Sequence, residues 1–198
     1  MPSTRTFVAL EIPEAQTEKL TRLQSLLASD IPGVRWPEAA TFHLTLAFLG
    51  DVDDTDLNTV CRAVQRAASS SSALELRLEG IGAFPDPSRA RTLWAGLGGR
   101  DLPKLLALQS VINQAVAEAG YPTGETTFHP HITLGRMQKG RQGVADVSPQ
   151  LQRFRTWSGG TFAVSEVTTF ASTLTREGPV YATLATAALP RRKSRPET

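Results

Sequence analysis

The sequence predicts an α+β fold of two pseudo-symmetric lobes, each a mainly antiparallel sheet with helices on the outside, and a cleft between the lobes. Three observations support this prediction. The 198 residues, 40% of them hydrophobic, suffice for one sizeable domain or two small lobes that share a core. Strand-like and helix-like segments alternate along the chain, in an order that recurs in its second half. The third observation is that equivalent residues of the two halves, such as Thr45 and Thr133, lie 88 positions apart.

The first half of the chain contains three predicted strands and two predicted helices. Alternation of apolar and polar residues, with many β-branched ones, predicts strands at residues 5–12, 42–49 and 74–80. Leucine, valine and alanine at helical spacing predict helices at residues 14–29 and 53–68.

The second half repeats this order. Strands are predicted at residues 92–97, from His131 onward, at 162–169 and at 179–185. Helices are predicted at residues 102–119, ending at Gly120, and at 146–154. Phe162 lies 88 residues after Leu74, so each half reads strand, helix, strand, helix, strand. We therefore expect each half to form one lobe, with a pseudo-two-fold axis between them.

Charge is concentrated at the end of the chain. The sequence pI is about 9.0, yet the net charge is only +2. Residues 188–198 hold four basic residues and one acidic residue, a net of +3, which leaves the rest near −1. We expect a single bilobal domain over residues 1–187 and a basic, flexible tail over 188–198, so composition does not require a wide basic nucleic-acid face.

The sequence predicts neither a membrane span nor a secretory signal peptide. No stretch approaches the roughly 18 apolar residues of a membrane span, and the N-terminus has no signal-peptide pattern. The single cysteine, Cys61, cannot form an internal disulfide. We expect a cytoplasmic monomer without membrane partners, in which Cys61 packs in the core rather than acting as a nucleophile.

All three histidines lie in or beside two copies of one motif. The copies are His43-Leu44-Thr45-Leu46 and His131-Ile132-Thr133-Leu134, and His129 precedes the second copy by two residues. In a strand, residues two apart share a face, so each copy places an imidazole and a hydroxyl on one surface and its aliphatic residues in the core.

Apposed motif surfaces would give an active site flanked by two imidazoles. Histidine donates and accepts protons near neutrality, so the pair suggests an acid and a base on opposite sides of a phosphodiester. The threonine hydroxyls can donate hydrogen bonds to phosphate oxygens. Because neither motif contains the third close ligand that a metal site usually has, we predict chemistry that needs no metal and no cofactor.

These motifs and their flanks resemble the 2H phosphoesterases, and within them the RNA 2′,3′-cyclic phosphodiesterase branch, also known as the bacterial and archaeal 2′-5′ RNA ligase family. The matching segments are distributed along nearly the whole chain except the tail. They are residues 5–13 (RTFVALEIP), 42–50 (FHLTLAFLG), 82–97 (GAFPDPSRARTLWAGL), 128–136 (FHPHITLGR) and 170–181 (FASTLTREGPVY).

The resemblance implies hydrolysis of a terminal 2′,3′-cyclic phosphate of RNA or a nucleotide to a 2′-phosphate, with reversible 2′-5′ joining as a minor activity. It implies that His43 protonates the leaving 3′ oxygen and His131 activates water, although the pseudo-symmetry leaves these two roles interchangeable from sequence alone. Thr45 and Thr133 would hold phosphate oxygens.

The resemblance also implies a phosphate contact from Arg136. Strict alternation points Arg136 away from His131, so that contact requires a twist or a bulge of the strand, which Gly135 could allow.

Several alternatives stay open. The substrate could be another small cyclic phosphate, of the ADP-ribose type, or the chain could be a module that binds RNA ends or nucleotides without turnover. Phe48 and Phe84 could stack on a base or belong to the core. His129 is expected to be a cleft-edge or structural residue outside the symmetry of the pair, and dispensable.

Overall fold

The structure, a computed structural model, describes residues 1–124, 127–138, 144–176 and 178–191. In these ranges the chain forms two antiparallel sheets with helices packed on them. The strands are β1 (Ser3–Glu11), β2 (Val34–Arg35), β3 (His43–Asp53), β4 (Leu74–Phe84), β5 (Thr92–Gly98), β6 (His131–Met137), β7 (Ser158–Val164), β8 (Glu166–Leu174) and β9 (Pro179–Ala188). The helices are α1 (Glu14–Ala28), α2 (Leu57–Ser69), α3 (Leu102–Glu118) and α4 (Ser148–Arg153).

The first sheet has the strand order β3-β1-β8-β9, and the second has the order β2-β6-β5-β4-β7. All pairings within them are antiparallel. Helices α2 and α3 pack on the first sheet and α1 packs on the second. The predicted fold class, an α+β fold of two antiparallel layers with helices outside, is confirmed.

Alternation along β1 shows how the first sheet buries both of its faces. Val8 and Leu10 belong to the main core, together with the leucines of the helices. Phe7 and Ala9 point to the other side and form a smaller cluster with Phe170. A strand buried on both faces reads as a nearly continuous apolar run, as residues 7–10 do.

We expected each half of the sequence to form one lobe, and this expectation is wrong. The strand that begins at Leu74 does not correspond to the one containing Phe162, because β4 and β7 are neighbours in the second sheet, with Leu76 opposite Phe162. The equivalent of β4 is instead β8. Strand β8 lies in the first sheet and pairs there with β1, whereas β4 lies in the second sheet and pairs with β5. Each half thus contributes two strands to the sheet of the other, β2 and β4 to the second sheet and β8 and β9 to the first, which ties the lobes together.

The elements differ from the prediction at several points, of which three concern the topology or the site. The predicted strand at 162–169 is two strands, β7 and β8, which change sheets at Ser165. Helix α2 begins at Leu57 because β3 continues to Asp53, followed by a turn in which Asp56 N–H donates to the Asp53 carbonyl. The short edge strand β2 was not predicted, since two residues carry no periodicity.

The folded chain continues slightly beyond the predicted boundary at residue 187. Leu189 is buried, and the Pro190 carbonyl accepts a hydrogen bond from Ala73 N–H. The basic residues from Arg192 onward lie outside the described residues. Among the helices of the described chain, none combines the length and the apolar character required to cross a bilayer.

Candidate active site

The two motif histidines begin the strands β3 and β6, which pack against each other across the two sheets. His43 and His131 are both half-buried. The charges of His131 and Arg136 act on His43 strongly enough to affect its pKa, so all three groups share one site. We call the surface of each sheet that carries its motif histidine and threonine the motif face.

Each histidine is oriented by a backbone carbonyl two residues before it. The Nδ1 atoms of His43 and His131 lie 2.7 Å from the carbonyl oxygens of Thr41 and His129, respectively. Because a carbonyl only accepts, both Nδ1 atoms carry a proton, and Nε2 is the nitrogen of each ring that exchanges one. Thr41 and His129 are 88 residues apart, so the repeat preserves this contact.

The His43 ring lies in an aromatic environment on the first sheet. Its centroid is 4.9 Å from that of Phe7 and 5.3 Å from that of Tyr181, whose ring meets it edge-on at 89°. Phe7 in turn stacks on Phe170 at 5.2 Å. These contacts fix the imidazole and remove water from it.

Burial is the largest cause that lowers the pKa of His43 from its ordinary value of 6.5. The hydrogen bond to the Thr41 carbonyl opposes this shift, and the positive charges of His131 and Arg136 reinforce it. Burial also raises the pKa of the Tyr181 hydroxyl, while Arg136 lowers it. Arg136, from the second sheet, therefore lies close enough to both groups of the first sheet to act on them electrostatically.

The His131 ring has aromatic neighbours of its own on the second sheet. Phe84 meets it edge-on, with centroids 5.0 Å apart and an interplanar angle of 85°, and Trp94 lies at 6.3 Å. The His129 ring packs on the same two side chains, at 5.8 Å from Phe84 and 5.4 Å from Trp94. A Cβ on Gly82 would overlap the Trp94 indole, so that glycine gives the indole its place on the sheet.

Both motif strands bulge at the last residue of the motif. Opposite β1, the pairing passes from Thr45 to Ala47 and leaves out Leu46. Opposite β5, it passes from Thr133 to Gly135 and leaves out Leu134. Of the two distortions that Gly135 could allow, a twist or a bulge, the structure has the bulge, and an equivalent one exists in the other lobe.

Two buried glutamines, one from each of two helices that pack on the sheets, stabilise the two bulges. Gln24 of α1 donates from Nε2 to the Leu134 carbonyl at 2.8 Å, and Gln109 of α3 donates to the Leu46 carbonyl at 3.2 Å. Both glutamines are less than 8% exposed. Each replaces the hydrogen bond that the bulged carbonyl would otherwise make in a regular ladder.

The second bulge returns Arg136 to the motif face. Its Nη1 atom lies 3.4 Å from the Thr92 hydroxyl, and across the described ranges no carboxylate comes within ion-pair distance of its guanidinium. Gly135 allows this path, because a Cβ there would come within 2.5 Å of Val34 and 2.9 Å of Trp36. The guanidinium is therefore available to an anion beside the two histidines.

Thr45 and Thr133 are half-buried and lie two residues from their histidines. Within the part of the chain that the structure describes, neither hydroxyl makes a hydrogen bond to another residue. Two donors, two imidazoles and one guanidinium thus meet where the motif strands pack together. Such a set suits a phosphate group that exchanges protons on two sides.

Phe48 and Phe84 occupy different environments. Phe48 is 41% exposed, and the Arg5 guanidinium lies over its ring at 4.7 Å from the centroid. Phe84 is half-buried and packs beside Trp94 and the two histidines of the second sheet. Base stacking by either ring stays a prediction.

Two further residues considered from the sequence, Cys61 and His129, have structural environments that bear on their roles. Cys61 is half-buried on α2, and burial raises the pKa of its thiol, which disfavours the nucleophilic thiolate. The carbonyl of His129 belongs to the repeated arrangement, so only its side chain lies outside the symmetry.

Sequence reasoning missed four residues of the first sheet: Arg5, Phe7, Phe170 and Tyr181. The three aromatic residues lie in segments rich in apolar residues, where periodicity does not distinguish a core residue from a residue of the site. The buried glutamines carried a readable signal. Gln24 and Gln109 fall on the apolar stripes of their helices, where a polar side chain requires a partner.

The fold and the site together define a two-lobed α+β protein in which paired histidines from repeated strands meet. The LigT like phosphoesterase family matches residues 10–94 and 101–181. The chain belongs to this family, which confirms the resemblance drawn from the motifs.

Relatives and solved structures agree with this assignment. The RNA 2′,3′-cyclic phosphodiesterase of Aeropyrum pernix is 31% identical over 166 residues, covering 84% of this chain and 92% of the relative. The enzyme of the same name from Methanothermobacter thermautotrophicus is 29% identical over 89% of this chain and 94% of its own.

Among solved structures, the Thermus thermophilus protein TT0787 superimposes with a TM-score of 0.77 at 25% identity, over 96% of this chain and all of the other. Escherichia coli LigT complexed with 3′-AMP has the same fold, with a TM-score of 0.74 at 24% identity, over 95% of this chain and 99% of the other.

Proposed function

We propose that this protein hydrolyses the 2′,3′-cyclic phosphate at RNA ends or on nucleotides to a 2′-phosphate, without a metal, by paired histidine catalysis. The observation that carries this proposal is the pair of motif strands that brings His43, His131 and Arg136 into one site. The names of the relatives support the substrate class, since they are RNA 2′,3′-cyclic phosphodiesterases.

The reaction needs one proton donor and one proton acceptor. We assign His131 Nε2 as the base that takes a proton from water while the water oxygen attacks phosphorus. The bond from phosphorus to the 3′ oxygen breaks, and His43 Nε2 donates its proton to that oxygen. The product is a 2′-phosphomonoester beside a free 3′ hydroxyl, and the two histidines have exchanged protonation states.

The remaining groups bind the phosphate. Thr45 and Thr133 donate hydrogen bonds to its non-bridging oxygens, and Arg136 neutralises charge as it develops. The anionic substrate also offsets the repulsion of His43 by Arg136 and His131, so it favours the protonated form of His43 that an acid requires.

Reversible 2′-5′ joining follows from the same groups. If a 5′ hydroxyl takes the place of water beside His131, the identical proton transfers join two RNA ends. Because both motifs belong to one chain, we propose that a monomer is sufficient. The single cysteine is compatible with the reducing cytoplasm, where we place the activity.

The test is an RNA oligonucleotide that ends in a 2′,3′-cyclic phosphate, incubated with the protein in EDTA. We expect conversion to a 2′-phosphate, identified against 2′- and 3′-phosphate standards. His43→Gln and His131→Gln should each lower kcat by roughly 10²- to 10⁴-fold. No turnover by the wild-type protein, or full activity in the double variant, would contradict the mechanism. Turnover of only a non-nucleotide cyclic phosphate would reassign the substrate.

A further inference from the structure

The Arg5 guanidinium lies on the motif face of the first sheet, stacked on Phe48. Residues 5, 7 and 9 of β1 share one face, and Phe7 of that set contacts the His43 ring. Phe48 is the direct cross-strand partner of Phe7. The guanidinium is 4.7 Å from the centroid of the Phe48 ring, on the same surface as the proposed acid.

The ring, rather than a carboxylate, holds this guanidinium. Asp51 lies opposite Arg5 in the ladder, yet within residues 1–124, 127–138, 144–176 and 178–191 no acidic oxygen lies within 4.0 Å of the Arg5 nitrogens. Arg5 is an exposed residue, so the face of the guanidinium that points away from Phe48 is open to a ligand.

The spacing along the strands fits one nucleoside. Thr45 lies opposite Ala9, and Phe48 lies opposite Phe7, two residues further along β1. Two residues of an antiparallel strand span about 7 Å. This length leaves room for a ribose between a phosphate held at Thr45 and a base held at Arg5.

The chemistry indicates which nucleoside this is. The 2′ and 3′ oxygens of a cyclic phosphate belong to the same ribose, so the group that protonates the 3′ oxygen lies beside that ribose. With His43 in this role, the ribose lies against the first sheet, and water approaches from the second. The base of the terminal nucleotide then extends along β3 toward Arg5.

We propose that Arg5, backed by Phe48, is the residue on which the base of the terminal nucleotide stacks. This inference rests on the proposed function and deepens it. Bases stack on guanidinium planes as well as on aromatic rings, and a sequence-tolerant enzyme of RNA ends requires a contact that every base can make. Since the guanidinium covers one face of Phe48, Arg5 is the stacking surface there and Phe48 fixes its plane.

The test compares two substrates that differ only in the base: adenosine 2′,3′-cyclic phosphate and 1-O-methylribose 2′,3′-cyclic phosphate. Arg5→Ala should lower kcat/KM about tenfold for the adenosine substrate and less than about twofold for the ribose substrate. Arg5→Lys should behave like Arg5→Ala, because lysine keeps the charge and loses the plane. Arg22→Ala, at an exposed position of α1, is the matched control and should change neither value.

The outcomes separate the two proposals. An equal loss on both substrates would assign Arg5 to phosphate binding or to the fold and overturn the inference, as would no loss on either. Calorimetric titration with adenosine 2′-phosphate and with inorganic phosphate gives an answer independent of turnover. Selective weakening of adenosine 2′-phosphate by Arg5→Ala supports the stacking role even if neither cyclic substrate is hydrolysed, a result that would contradict only the proposed function.

Discussion

Phe48 and Arg136 occupy equivalent positions on the two motif strands, 88 residues apart, each five residues after the motif histidine and two after the bulged leucine. The repeat therefore preserves the backbone while the side chains diverge. On the second sheet the motif strand supplies a guanidinium and β4 supplies the aromatic Phe84. On the first sheet the motif strand supplies the aromatic residue and β1 supplies the guanidinium of Arg5. Two similar backbones thus place different side chains on the two sides of the site.

The buried glutamines connect the helices to this geometry. We expect Gln24→Met to destabilise the protein by about 1–3 kcal/mol, because the Leu134 carbonyl loses its donor in a buried position. The bulge also sets the position of Arg136, so kcat should fall as well. Denaturant unfolding and steady-state kinetics measure the two effects.

Gln16 is the matched control for this substitution. It is buried on the same helix, and its Nε2 donates to the Thr161 carbonyl, away from the bulge. Gln16→Met should lower the unfolding free energy and leave kcat nearly unchanged. If both variants lost stability and activity in the same proportion, the bulge would have no separate role in positioning Arg136.

The pKa of His43 can be measured directly. In the free protein, the imidazole resonances of His43 should titrate with a midpoint below 6.5, because burial disfavours the charged form. Arg136→Gln removes a neighbouring positive charge and should raise that midpoint, whereas Arg22→Gln should not move it. A midpoint at or above 6.5 in the wild-type protein would show that burial by the aromatic contacts does not dominate the pKa of this ring.

The same shift predicts how stability depends on pH. A histidine whose pKa is lower in the folded state takes up a proton more readily when unfolded. The contribution of His43 to the unfolding free energy is therefore fully present above about pH 6.5. It is lost as the pH falls through the folded-state pKa. His43→Gln should reduce this slope in a series of unfolding midpoints.

The dependence of kcat/KM on pH tests the division of roles. The wild-type profile should be bell-shaped between about pH 5 and 9, since one histidine must be protonated and the other neutral. In His43→Gln the residual activity should rise with pH and then level off. In His131→Gln it should fall with pH, with a midpoint below 6.5 that reports His43. The reverse pattern would exchange acid and base.

Much of this site could be predicted from the sequence, because its determinants are local. A period of two places His43 beside Thr45, and His131 beside Thr133, whatever the strands pair with. A twist or a bulge of the second motif strand was predictable from one conflict, between the face of Arg136 and the glycine before it. The placement of β4 in the second sheet and β8 in the first could not be predicted. Alternation shows which face of a strand is buried, but it carries no information about which strand lies beside it. The aromatic contacts of His43 could not be predicted for a similar reason. Phe7 and Tyr181 lie far apart in the sequence, and an aromatic residue in a strand gives no sign of which residue it contacts.

Phe84 is expected to position His131 rather than to recognise a base. Its ring meets the imidazole edge-on with centroids 5.0 Å apart, and Trp94 packs beside both rings. Phe84→Leu should therefore lower kcat several-fold and affect nucleoside and base-free cyclic phosphates equally. A loss confined to nucleoside substrates would give Phe84 the stacking role that we propose for Arg5. A circular dichroism melt of the variant checks that the second sheet remains folded.

His129 provides the last test, because its backbone and its side chain have different roles. The carbonyl orients His131, as the carbonyl of Thr41 orients His43, and the first lobe achieves this with a threonine at the equivalent position. The His129 ring is exposed and packs only at the edge of Phe84 and Trp94 among its described aromatic contacts. His129→Gln keeps the carbonyl, so kcat/KM should stay within about twofold of the wild-type value, the range of ordinary surface substitutions. The same substitution at His131 should cost at least a hundredfold. If the two variants lost activity to a similar extent, the His129 imidazole would take part in proton transfer, and the site would contain three functional histidines instead of a symmetric pair.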